Sequence, residues 1–144
     1  MSRSNAISNP NAQQTAPANP FTFTRLLPAI GVAVVLNLAV YAIGSAAGAT
    51  WIANGQTVGW ILVILSTAVS MAIGGGITYL LARRWSKAPS AMAWIGLAFG
   101  LVTAPSPLFA SENTTTGLAL ASMHVVTGLA WFIAVRPRHR VSGG

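Results

Sequence analysis

Acidic side chains are almost absent: the 144-residue chain carries one, Glu112, and no aspartate. Paired-carboxylate catalysis, carboxylate-coupled proton transfer and hard-cation sites therefore lack their groups, and no Ser-His-Asp set exists. Cysteine is also missing, which excludes disulfides and thiolate metal centres and leaves the redox compartment unread. Charge of any sign is scarce, at 6% of residues, where soluble domains carry roughly 25%. A water-soluble fold of this length needs more polar cover than eight Lys/Arg and one acid supply. Lipid, as a solvent, makes no such demand.

What is present is apolar: 53% hydrophobic residues and a mean hydropathy of +0.63. Four uncharged stretches, at about 26–49, 58–82, 91–110 and 117–135, each match the roughly 20 residues that cross a hydrocarbon core at about 1.5 Å per residue. In lipid every backbone N–H and C=O must be satisfied within its own segment, so each stretch is read as a helix. A cleavable signal peptide is not expected, because the first apolar run starts near Leu26 behind a polar tail and is too long for one. Residues 1–24, rich in Asn, Ser, Pro, Gln and Ala, read as a disordered cytoplasmic tail. Residues 25–136 form the membrane domain and residues 137–144 a short basic tail.

The net charge of +7 raises nucleic acid as a partner, but the cations do not gather on one water-exposed face. They punctuate the apolar runs instead. Arg3 and Arg25 precede the first; Arg83, Arg84 and Lys87 lie between the second and third; Arg136, Arg138 and Arg140 follow the fourth. The other two connectors, near 50–57 and 111–116, hold none. By the positive-inside rule the cationic flanks are cytoplasmic, facing anionic lipid headgroups. The expected fold is an all-α polytopic membrane protein: an up-down bundle of four transmembrane helices with both termini cytoplasmic. Trp51, Trp60, Trp85 and Trp94 fall near span ends, where amphipathic rings sit at headgroup level. Short connectors make consecutive helices antiparallel neighbours.

The order of features resembles a known family. Arg25 precedes a first helix with a mid-membrane Asn37 and a closing Gly48. Arg83-Arg84 mark the loop between hairpins. Pro105-Ser106-Pro107 mark the third helix, and Leu118–His124 read Leu-Ala-Leu-Ala-Ser-Met-His in the fourth. Over about residues 25–135 this is similar to a family of small four-helix membrane proteins of actinobacteria, classed as a domain of unknown function. The resemblance implies the plasma membrane of a high-GC bacterium and assigns no activity.

His124 is the most informative side chain, about seven residues into the last helix and so about 10 Å deep. An ionisable group at that depth is costly and usually faces the bundle interior. Depth arithmetic puts Asn37, Tyr41, Ser66, Thr103 and Ser106 in the same outer-half layer. His124, Asn37, Tyr41, Thr103 and Ser106 are expected to face inward and hydrogen-bond one another. Such a layer is either a polar cavity for a small ligand or interhelical glue, at about 0.6 kcal/mol per contact.

Pro105 and Pro107 remove two donors and oppose the carbonyls of Leu101 and Thr103, so a kink or early end is expected, with Thr103 and Ser106 hydroxyls, or water, answering the freed carbonyls. Gly44 with Gly48, and Gly96 with Gly100, place small residues one turn apart for close helix packing, within the monomer or across a homodimer. Gly74-Gly75-Gly76 either presents backbone to a neighbour or serves as a flexible point. Neither a catalytic set, a metal site nor a cofactor is expected, because a lone buried His supplies at most one haem ligand. The leading reading is a non-enzymatic helix-packing partner or assembly subunit. A small oligomeric transporter or channel built on the polar layer around His124 is the alternative, and a membrane enzyme or electron carrier ranks third.

Overall fold

A computed structural model describes residues 23–137. The expected amino-terminal tail, with Arg3, and the closing Arg138, His139 and Arg140 lie outside the described residues. The elements run α1 (Phe23–Ala46), β1 (Ile52–Ala53), β2 (Gln56–Thr57), α2 (Trp60–Ala82), α3 (Ala88–Thr103), α4 (Ser106–Ala110) and α5 (Thr114–Val135). Four spans, the third being α3 and α4 taken together, are long and apolar enough to cross a membrane. Only 17–28% of each span is buried inside the bundle. Val102 and Phe109 stand 78% and 89% exposed. An apolar surface on this scale is stable against hydrocarbon, not water.

Two clusters mark the ends of an up-down bundle. At one end Leu26, Trp131 and Val135 are buried together, with Tyr79, Ala82 and Met92 packed against them. The described cations flank this end: Arg25 opens α1, Arg83 follows α2, Lys87 precedes α3 and Arg136 follows α5. The Arg136 guanidinium sits 5.4 Å from the Phe132 ring centroid, within cation–π range. At the other end Trp51, Val63, Ala119 and Met123 form the second cluster.

Helix α5 packs along both α1 and α3, and α1 packs along α2. Consecutive helices are neighbours as expected, but α2 and α3 meet only sparingly. The cause is Trp131. Its buried indole lies against Gly74 of α2 and Gly96 of α3, and Nε1 donates to the Met92 carbonyl at 2.8 Å. A side chain of that size on α5 holds the two helices apart.

The prolines act as expected on the third span, with a correction in detail. Helix α3 stops at Thr103 and the chain restarts as α4 at Ser106, tightened by Leu108 N–H donating to Pro105 O at 3.0 Å. Thr103 Oγ1 does not answer the freed carbonyls. It donates to Phe99 O at 2.7 Å, because a helical side chain leans towards the N-terminus and reaches the preceding turn.

The end away from the cations carries structure that hydropathy does not reveal. Helix α1 closes in a Schellman motif: Ala49 N–H donates to Gly44 O and Gly48 N–H to Ser45 O, with Gly48 at φ +85°. Gly48 is therefore a turn residue and not a packing residue; a Cβ there meets nothing within 4 Å. Asn54 and Gly55, at φ 51° and 72°, close a two-residue turn pairing Ile52 with Thr57 and Ala53 with Gln56, as primed hairpin turns require. The hairpin is tied to the end of α4 by Asn54 N–H to Ala110 O (2.8 Å) and to the connector before α5 by Glu112 N–H to Ile52 O (3.0 Å).

Trp51 anchors this cap and corrects the headgroup expectation for that residue: it is 6% exposed, whereas Trp60, Trp85 and Trp94 are about half exposed. Its ring stacks on Tyr41 at 4.1 Å between centroids, and Nε1 donates to Ser45 Oγ at 2.9 Å. Its backbone holds φ 56°, a left-handed conformation that costs a non-glycine residue about 1 kcal/mol or more. Trp51 N–H donates to Thr116 Oγ1 at 3.0 Å, and Thr116 is fully buried. Thr116→Val keeps the shape and orphans that N–H, so it is expected to lower stability by about 1–2 kcal/mol. Unfolding in a denaturing detergent checks this; an unchanged midpoint would show that the cap does not depend on the bond.

Candidate functional site: a polar cleft between the second and third spans

The separation of α2 from α3 leaves a cleft of about 450 Å³ floored by α5 and α1. Its size falls within the roughly 300–1,000 Å³ typical of small-molecule sites. Ser66 and Ser70 on α2, and Ile95 and Phe99 on α3, line it and are exposed on the bundle surface. The cleft therefore opens sideways, where lipid tails run. Trp131 closes the end nearer the cations and Val58, Val63 and Leu120 border the other.

The floor is polar. Asn37 is 1% exposed, and its Nδ2 donates to Thr67 Oγ1 at 2.9 Å and Thr127 Oγ1 at 3.0 Å. These bonds join α1 to α2 and α5. Thr127 Oγ1 donates its own proton to Met123 O at 2.8 Å, so it faces Asn37 only as an acceptor. That fixes which end of the amide points at Thr127. Asn37 Oδ1 is left buried without a partner. Buried amide oxygens of this kind are rare and costly.

One turn away on α5, His124 also lines the cleft. Its Nδ1 lies 2.8 Å from Leu120 O. A carbonyl only accepts, so Nδ1 carries a proton, and Nε2 is the ring nitrogen left to the cleft. Thr103 and Ser66 line the same space, with their hydroxyl protons turned to Phe99 O at 2.7 Å and Val63 O at 3.2 Å.

Of the six residues expected in one polar layer, Asn37, Ser66, Thr103 and His124 surround the cleft. Tyr41 is not among them, because its ring is stacked on Trp51 in the cap. Ser106 is not either; it is exposed at the start of α4. The mutual bonding expected of His124, Asn37, Tyr41, Thr103 and Ser106 is also corrected: Asn37 bonds Thr67 and Thr127, and His124 and Thr103, like Ser66, bond carbonyls of their own helices. Depth sets a residue's height along a helix, and azimuth decides what it touches. Thr67 and Thr127 went unread, although each lies within an apolar span and the same depth arithmetic reaches them; Ser70, one turn from Ser66 in the same layer, does line the cleft.

The glycines that frame the site divide similarly. A Cβ at Gly100 would lie 2.9 Å from His124 O and 3.0 Å from Gly128 Cα, and one at Gly96 would overlap the Trp131 indole. Both sit in the α3–α5 seam. Gly44 packs against Trp51 and Ala119. In the glycine run, Gly74 meets Trp131 and Gly75 meets Leu26, while Gly76 has open space, which answers the first two positions as packing.

Four apolar spans around a laterally open polar cleft define a multi-pass membrane protein. The chain belongs to a family of unknown function, DUF6069, which it matches over residues 17–141. Comparison with curated proteins and with solved structures gave no match.

Proposed function

We propose that the protein is a non-enzymatic membrane protein that holds a small, bilayer-borne molecule in the cleft between α2, α3 and α5. One observation carries this reading: a laterally open cleft of about 450 Å³, largely apolar, that a few polar side chains line, among them Ser66, Ser70, Thr103 and His124. A site built to orient a ligand has this composition, apolar walls with a few convergent polar groups. The polar groups around the cleft are hydroxyls, one amide and one imidazole, and such a set favours binding over bond cleavage. The cationic flanks support, by the positive-inside rule, an orientation with both termini cytoplasmic in the plasma membrane and anionic headgroups against Arg25, Arg83, Arg84 and Arg136.

The test compares purified wild type with Ser66→Phe. Ser66 bonds only its own helix, so a phenyl ring there occupies the mouth without disturbing the floor. Mass spectrometry of solvent extracts is expected to find a small molecule with the wild type that is reduced at least about tenfold in the variant, a difference of roughly 1.4 kcal/mol in affinity. Identical extracts would overturn the reading.

An assembly subunit is the second reading, and the open space at Gly76 on α2 favours it, since a small residue lets another helix approach closely. On that reading Gly76→Leu removes a co-purifying protein partner or a homo-oligomer and leaves the extract unchanged.

A further inference from the structure

We infer that the cleft holds an uncharged amphiphile in one orientation: an oxygen group beside Ser70 and His124 near mid-membrane, and a hydrocarbon arm on Trp131, toward the cation-flanked end. This rests on the cleft being a ligand site and adds the class and orientation of what it takes. One hydroxyl is left over. Ser45, Ser66, Thr78, Thr103, Ser122 and Thr127 each return the hydroxyl proton to a carbonyl of the preceding turn. Ser70 does not. It lines the cleft and is exposed at its mouth, and among the described residues its Oγ has no hydrogen bond. Thr67, on the floor, accepts from Asn37 and keeps its own proton. Ser70 lies ten residues after Trp60 on α2, about 15 Å deep and so half-way through a hydrocarbon core roughly 30 Å thick. Lipid tails cannot pair a hydroxyl at that depth, and leaving it unpaired is costly. His124 Nε2 is the other polar atom left to the cleft, since Nδ1 is committed to Leu120 O.

Polarity also changes along the cleft. Ser66, Ser70, Thr103 and His124 form a polar belt. Asn37 ties the Ser66–Ser70 turn of α2 to the His124 turn of α5 through Thr67 and Thr127, and Gly100, near Thr103 on α3, faces the His124 carbonyl. Toward the cation-flanked end the lining turns apolar, with Met71, Gly74, Met92, Ile95, Gly96 and Trp131. The indole closes that end and spends its Nε1 proton on Met92 O, so it offers an occupant no donor. His124 and Trp131 are seven residues apart on α5, about 10 Å, which leaves room for a short hydrocarbon arm. The opposite orientation would set the oxygen group among these apolar side chains and leave the belt unpaired. Charge is costly in both places. Glu112, the only acid in the chain, lies in the connector before α5. The described cations flank the end beyond Trp131, so no counter-charge reaches the belt. The lateral mouth admits a molecule already dissolved among lipid tails.

The probes are decanols carrying a photoreactive diazirine, either beside the terminal methyl or beside the hydroxyl, added to the purified protein in detergent micelles. Mass spectrometry maps the adducts. In the wild type the methyl-end probe is expected to label Met71, Met92 or Trp131, and the hydroxyl-end probe Ser66, Ser70, Thr103 or His124. Plain decanol is expected to suppress both at a mole fraction at least about tenfold lower than decane, or than decanoate at alkaline pH, the cost of leaving a polar group unpaired or a charge uncompensated. Ser70→Ala is expected to narrow the margin over decane, and an unchanged margin would overturn Ser70 as the partner. Identical or reversed adducts from the two probes would overturn the orientation. Decane as effective as decanol would overturn recognition by the belt, and decanoate as effective would overturn the exclusion of charge. Each of these results leaves the cleft a ligand site. Labelling that no competitor suppresses, or that Ser66→Phe leaves intact, would overturn the ligand site and this inference with it. The primary comparison uses wild-type protein, so it survives a variant that does not fold.

Discussion

Replacing Gly100 by leucine is expected to split α3 from α5 and to cost about 3 kcal/mol of bundle stability, near the upper end of ordinary overpacking penalties. The magnitude follows from what stands in the way. A Cβ at Gly100 would come within 2.9 Å of the His124 carbonyl oxygen and 3.0 Å of Gly128 Cα. Both obstacles are backbone, so no rotamer change relieves them and the helices must move apart. Separation has wide consequences, because Gly100 faces the turn that carries His124 and Gly128. The cleft wall formed by Thr103 and the floor formed by Thr127 would shift together. Gly76→Leu is the matched control: it adds the same side chain where nothing lies within 4 Å and is expected to stay within about 0.5 kcal/mol of wild type, as surface changes do. Reversible unfolding of both in a denaturing detergent makes the comparison. Equal midpoints would show that the α3–α5 seam is not tightly packed.

The contrast between these two glycines shows where the sequence is readable. Spans are legible because lipid imposes a one-dimensional rule, uncharged length, and all four helices lie within a few residues of the predicted stretches. Orientation about each helix axis is not legible. In water an apolar stripe marks the buried face, but here both the interior and the lipid are apolar, so Val102 and Val63 read alike while one is 78% exposed and the other 4%. Polar residues restore part of the information. Asn37, Ser66, Thr103 and His124 were found that way, and Thr67 and Thr127 carried the same signal. Tyr41 and Ser106 shared the depth but not the face.

Other misses have local causes. Gly44 and Gly48 share the spacing of a packing pair, yet only Gly44 packs, because α1 ends at Ala46 and Gly48 falls on the turn beyond it. The Asn54-Gly55 hairpin had a sequence signal, the Asn-Gly dipeptide. It lies in a connector that hydropathy treats as a gap. The separation of α2 from α3, which creates the cleft, depends on one side chain. Trp131 resembles any aromatic near a span end, where a headgroup position is the usual expectation. Its burial becomes visible only when Gly74 and Gly96 are known to face it.

That three-residue arrangement leads to the second large effect, a coupling rather than a simple loss. Gly96→Leu alone is expected to destabilise by about 2–3 kcal/mol, since the new side chain claims volume held by the Trp131 ring. Trp131→Ala alone empties that volume and removes the Nε1 donation to Met92 O. In soluble proteins such a truncation costs about 3–5 kcal/mol. In lipid the transfer part of the loss is small, because hydrocarbon tails are as apolar as the bundle interior, and what remains is lost packing. Trp131→Phe separates the two contributions by keeping a ring without the donor. In the double variant the leucine at position 96 occupies the space the indole vacated, so its penalty is expected to fall by about 2 kcal/mol relative to wild type, within the range of couplings between residues in contact. The same cycle reads the cleft. With the wedge gone, α2 and α3 are expected to approach, and the small molecule that solvent extracts find with the wild type should be lost. Additive unfolding energies, or an extract unchanged in Trp131→Ala, would mean that something other than this indole holds the two helices apart.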